Sequence, residues 1–172
     1  MKKSLLTVLA LAGAIFCGAE VIDINGSFKP DAQGQPEKWT FRDEKSGGTM
    51  EYTPGTPNRI KLNSVPKKYV SLVSKSKISA KIGDKFKYSL KMSPKKSICI
   101  GFYLNTPKGG YITSLQKSSF SQADGTVTLE FTIIDPTKRG FEVGSIYPFI
   151  KVYNGGTIEV TEAVLEKLPA GE

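Results

Sequence analysis

Six side chains carry the recognition chemistry this sequence offers: Tyr103, Asn105, Tyr111, Tyr147, Lys151 and Tyr153. A tyrosine ring offers a flat apolar face with a polar tip, while amide, hydroxyl and ammonium groups beside it offer hydrogen bonds to a polar ligand. Catalytic chemistry is harder to assemble. The chain has no histidine, which removes the commonest general base and the commonest zinc ligand. Its two cysteines, Cys17 and Cys99, cannot build a disulfide framework or a four-thiolate metal site. Neither has an imidazole to activate it. Glu130, Glu142, Glu159 and Glu162 could in principle run glycoside chemistry as pairs, but they are scattered over strand-like segments. No phosphate loop, metal-ligand cluster or nucleophile elbow accompanies them. The residues therefore read as those of a non-enzyme with no cofactor and no metal.

The six candidates reach a common surface only if strands carry them. Phe86, Tyr88, Leu90 and Met92 alternate with Lys85, Lys87, Ser89 and Lys91. Ile98, Ile100, Phe102 and Leu104 alternate with Cys99, Gly101, Tyr103 and Asn105, and Val127, Leu129, Phe131 and Ile133 alternate with Thr126, Thr128, Glu130 and Thr132. A period of two is what a strand with one buried face requires. Weaker strand signals lie at 21–24, 59–62, 69–78, 111–115, 146–153 and 157–165. Turn chemistry separates them, as in Pro54-Gly55-Thr56-Pro57, Pro107-Lys108-Gly109-Gly110 and Asn154-Gly155-Gly156. About nine or ten short strands and no helix predict one all-β domain, an antiparallel two-sheet sandwich. If Ile98 to Leu104 face inward, Tyr103, Asn105 and Cys99 share the outer face. If Ile146, Pro148, Ile150 and Val152 face inward, Tyr147, Phe149, Lys151 and Tyr153 share the other side. Tyr111 opens the strand after Gly109-Gly110. The alternative for each tyrosine is a place at a sheet edge or in a second core layer, since aromatics favour strands.

The start of the chain reads as an address. Met1-Lys2-Lys3 precedes an apolar run, Leu5 to Phe16, and the small residues Gly18 and Ala19, the pattern of an export signal cleaved before Glu20. The expected organisation is a signal peptide at 1–19 and one sandwich domain at 20–172, secreted or periplasmic. Acylation of Cys17 is the minority alternative. Cleavage leaves Cys99 as the single thiol, expected to be covered by its neighbours. No second apolar stretch reaches membrane-spanning length.

The net charge of +8 falls to +6 once Lys2 and Lys3 are removed. Between Lys67 and Lys96 there are ten lysines and one acid, Asp84, whereas Phe141 to Glu172 holds two bases and five acids. Lys85, Lys87 and Lys91 should line one exposed strand face. Such a stripe attracts sulfated or uronic-acid glycans or acidic envelope polymers, or it is a solvated face that discourages edge pairing. Nucleic acid is not an expected partner, because no recognised nucleic-acid motif is present.

Motifs at both ends of the mature chain carry a resemblance. It opens with Asn25-Gly26-Ser27-Phe28, continues through Gly34-Gln35-Pro36 to Trp39-Thr40-Phe41, and closes with Ile158-Glu159-Val160-Thr161-Glu162-Ala163-Val164-Leu165. Between them stands Ile82-Gly83-Asp84-Lys85-Phe86-Lys87-Tyr88-Ser89-Leu90. This order resembles the carbohydrate-binding modules of families four, nine and twenty-two, jelly-roll sandwiches with a galactose-binding-like topology. The resemblance implies a polysaccharide or glycan ligand on an aromatic-lined concave face. It also implies a core position for Trp39. Many such modules hold a structural calcium with an acid after the opening Phe. Lys29 stands there instead, and an ammonium repels a cation. The calcium site is therefore expected to be lost, or replaced by a contact between Lys29 and a carboxylate. An envelope or extracellular structural domain binding protein through the same sandwich is the alternative function. Asn25-Gly26-Ser27 also matches a glycosylation acceptor.

Overall fold

The period-two alternation becomes alternating burial. In the computed structural model, which describes residues 18–42, 46–134 and 139–169, β7 (Lys85–Ser93) buries Phe86, Tyr88, Leu90 and Met92 and turns its lysines outward. Ahead of it stand β1 (Glu20–Ile22), β2 (Trp39–Arg42), β3 (Thr49–Thr53), β4 (Arg59–Asn63), β5 (Tyr69–Ser74) and β6 (Ile78–Ser79). After it come β8 (Ser97–Asn105), β9 (Tyr111–Phe120), β10 (Thr126–Thr132), β11 (Ser145–Tyr153) and β12 (Thr157–Leu168). There is no helix among the described residues. Cys17 and the apolar run of the expected leader lie outside them.

The strands form two antiparallel sheets. The first runs β10-β7-β12-β4-β3 with β1 added to β12, and the second runs β2-β5-β11-β8-β9 with β6 added to β11. Their inner faces meet in one core. Phe102 from the second sheet lies against Phe86, Tyr88 and Phe131 from the first, with ring centres 5.7, 5.8 and 5.0 Å away. Offset and edge-on contacts of this kind add to the burial of the rings themselves.

Three expectations needed correction. β2 and β3 were not among the expected strands: each is short and hemmed by turn residues. The single strand expected at 69–78 is broken at Lys75–Lys77 into β5 and β6, which pair with different stretches of β11. Glu142 lies in the loop before β11, not on a strand.

The end motifs have a structural explanation. The Asn25 side chain donates to the carbonyls of Lys29 and Glu37 and accepts from the Lys29 N–H, at 3.0, 2.7 and 3.0 Å. The Trp39 indole donates to the Asn25 carbonyl at 3.0 Å, and Phe28 packs on the Trp39 ring. Trp39 is buried in the core as expected. A Cβ on Gly26 would sit 1.5 Å from the Ala163 carbonyl oxygen, so only glycine lets the opening turn press on β12. Because the Asn25 amide is buried and bonded, it is not presented for glycosylation.

Candidate functional site

The register of the second sheet gathers residues from five strands on its outward face. Tyr147 of β11 pairs with Tyr103 of β8, and Ser145 pairs with Asn105. Asn105 then pairs with Tyr111 of β9 across a bulge. On the other side Phe149 pairs with Val73 of β5, and Val73 pairs with Thr40 of β2. Because Trp39 and Phe41 of β2 face the core, Thr40 and Arg42 must face outward.

These residues line one groove of about 560 Å³, walled by Thr40, Arg42, Val73, Ser74 and Lys75 on one side and by Tyr103, Asn105, Tyr111 and Tyr147 on the other. Its volume lies in the range of small-molecule sites. Tyr103 stacks on Phe149 at 4.7 Å and meets Tyr111 edge-on at 6.0 Å. Burial raises the pKa of the Tyr103 phenol, and its hydroxyl bonds the Ser71 side chain. The ring is thus held rigid. Tyr111 is free on its outer side and 63% exposed, as a stacking platform must be. The Asn105 amide donates to the Gly109 carbonyl at 2.9 Å, tying it to the turn that delivers Tyr111.

Four of the six sequence-derived candidates, Tyr103, Asn105, Tyr111 and Tyr147, therefore line the groove. Lys151 and Tyr153 lie on the same face but outside the groove lining. Lys151 is buried, its ammonium 4.2 Å from the Phe149 ring centre, 5.2 Å from Tyr103 and 5.4 Å from Tyr69. It donates to Gln116 Oε1 at 3.2 Å and forms no ion pair among the described residues. Burial pulls its pKa below the lysine range. Tyr153 is pushed up to about 12 by burial and by its contact with Cys99. Cys99 does share the outer face, yet Val73, Phe149 and Tyr103 cover it in a small second core. Burial raises its thiol pKa, which makes it a poor nucleophile at neutral pH.

Sequence reasoning missed Thr40, Arg42 and Lys75. The signal was present for the first two, since Trp39 in the core fixes the outward phase of β2; Lys75 depends on where β5 ends. Gly101 has a related role on this face. A Cβ there would lie 2.1 Å from the Leu115 carbonyl oxygen, so glycine lets β9 close over β8. Lys117 of β9 then reaches the Glu130 carbonyl and the Phe131 ring of the first sheet.

The lysine stripe lies on the opposite face of the molecule. Lys87 pairs with Glu166, and Lys91 is aligned with Glu162. A second cavity of about 420 Å³ includes Lys29, Lys91, Thr161 and Glu162. Lys29 forms no ion pair among the described residues, so the contact expected to replace calcium is not made there. No three acidic, cysteine or histidine side chains gather around a metal position among the described residues.

No family model matches the chain, and no curated protein matches it. Solved structures do. The chain is similar to the family 11 carbohydrate-binding module from Clostridium thermocellum in complex with a β-1,3-1,4-mixed-linked tetrasaccharide, at 16% identity and TM-score 0.55, covering 90% of this chain and 98% of that one. It is also similar to the family 11 module of the cellulosomal cellulase Lic26A-Cel5E of the same organism, at 15% identity and TM-score 0.56, covering 90% and 96%. A cyclase from Fischerella sp. TAU is similar at 11% identity and TM-score 0.56, covering 90% and 98%. These likenesses show the fold: a sandwich like that of the family 11 modules. They do not single out families four, nine or twenty-two, and the cyclase marks that the same fold serves other activities.

Proposed function

We propose that this chain is an exported, non-catalytic carbohydrate-binding protein whose glycan lies in the groove on the outward face of the second sheet. One observation carries the reading. Tyr103, Asn105, Tyr111 and Tyr147 come from three strands, yet they line a single groove with polar groups from β2 and the end of β5. Rigid aromatic surface beside hydrogen-bonding groups is the chemistry a pyranose needs. The similar family 11 modules support the reading at the level of the fold. Export rests on the leader-like residues 1–19 and fits β1 beginning at Glu20.

Glycan arrays and pull-down on insoluble polysaccharides test it. Tyr111→Ala should keep the thermal midpoint and weaken binding about tenfold or more, since the ring is exposed and contributes little to folding. Silence across neutral and acidic glycans would reject the function and leave a protein partner as the better reading. Unchanged binding by Tyr111→Ala would reject the groove.

A further inference from the structure

We infer, building on the glycan-binding reading of the groove, that its ligand is an anionic saccharide, one bearing carboxylate or sulfate groups. The six strands of the second sheet contain Arg42, Lys117 and Lys151 and not one Asp or Glu. The six strands of the first sheet contain six acids and six bases. An acid-free sheet in a chain with 16 acidic residues leaves the field over its outer face uncompensated by any carboxylate of its own strands. Lys117 turns away from that face toward the Glu130 carbonyl and the Phe131 ring. Arg42 and Lys75 are exposed and line the groove, and the groove lining among the described residues includes no carboxylate.

Lys151 adds a third charge from below. Its ammonium is held against Phe149, Tyr103 and Tyr69 without a carboxylate among the described residues. Charge kept in a partly desolvated site is screened less than charge in open water. An arginine at the groove wall can meet a carboxylate or sulfate through two parallel N–H bonds. The aromatic rings would cover the sugar while Arg42 and Lys75 take its acidic substituent. This assigns glycan charge recognition to the acid-free sheet rather than to the lysine stripe at Lys85, Lys87 and Lys91, where acids of β10 and β12 stand alongside.

The test titrates the full chain with polygalacturonate and with dextran sulfate, and with dextran and a mixed-linkage β-glucan as neutral counterparts. At least one anionic polymer should bind about tenfold more tightly than either neutral one, the preferred arm distinguishing carboxylate from sulfate. Arg42→Gln/Lys75→Gln should lose about tenfold on that polymer, while Lys85→Gln/Lys91→Gln on the first sheet should not. Neutral polymers bound as tightly would overturn the inference and keep the glycan-binding reading. Equal losses from both double variants would overturn it too, by showing diffuse attraction to a basic protein. Binding to none of the four polymers would overturn both.

Discussion

The outer faces of the two sheets handle charge in opposite ways. On the first sheet Arg59 meets Glu159 at 3.8 Å, Lys61 meets Glu51 at 3.3 Å and Lys87 meets Glu166, while Lys167 reaches Asp84 of the adjoining turn at 2.9 Å. Positive and negative side chains stand side by side on this face and several of them pair, which is one way a sheet surface avoids offering a template to neighbours. On the second sheet the outward face carries tyrosines, a small apolar cluster at Val73, Cys99 and Phe149, hydroxyl and amide groups and cations, and part of it forms a groove. A high local density of lysine is thus a poor guide to where a charged ligand would go. The absence of carboxylates is a better one, because it is the uncompensated field that attracts.

Four substitutions would break or sharpen this contrast. The largest effect belongs to the core that both sheets share. Phe102→Ala removes the ring that three aromatic residues of the first sheet surround, and should cost about 3–5 kcal/mol in denaturant unfolding. Both faces should then be lost in a single transition. If the groove-side signals melted before those of the first sheet, the sheets would not be one cooperative unit.

Next comes Lys151→Met. A buried ammonium without a carboxylate has its desolvation only partly offset by ring faces and Gln116, so the apolar replacement should leave stability unchanged to within about 1 kcal/mol. Binding of an anionic glycan should nonetheless weaken severalfold. A large fall in stability with binding intact would make Lys151 a structural residue and remove one of the three charges from the contrast.

The smallest effects are read at the extremes of pH. Burial pushes the Asp84 carboxyl up, but the Lys167 ammonium and the Lys81 N–H outweigh it and hold it below the usual carboxylate range. Its contribution to stability is present above the unfolded value of 3.8 and is lost as pH falls through the lower folded value. Tyr153 on the second sheet works the other way. Its folded pKa is raised to about 12, so its contribution is present below the ordinary tyrosine value of 10.0 and lost as pH rises through about 12. Asp84→Asn should flatten the acid limb of a stability–pH profile, and Tyr153→Phe the alkaline limb. An acid limb unchanged by Asp84→Asn would show that Lys167 and Asp84 do not pair in solution.

Much of the site was legible before any coordinates. Alternation in β8 and β11 set Tyr103, Asn105, Tyr147, Lys151 and Tyr153 on one phase, because a strand offers only two sides and the apolar set claims one of them. Arg42 escaped notice because β2 is four residues long, too short for a pattern to stand out. Lys75 escaped because a break between two strands depends on which partner each half finds. The lysine stripe stayed open between two readings for a similar reason: which acids stand opposite Lys87 and Lys91 is decided by β10 and β12, far along the chain.

Sequence alone therefore determined the all-β class and the strand phases of the long strands, since each follows from residue type and local periodicity, while the buried position of Trp39 was implied by the resemblance. Tertiary structure decided which strands became neighbours. That choice joined β2, β5, β11, β8 and β9 into a sheet whose strands carry no acid, and placed the acids of β12 beside the lysines of β7. Pairing between strands is non-local, and electrostatic fields add up over whatever pairing brings together.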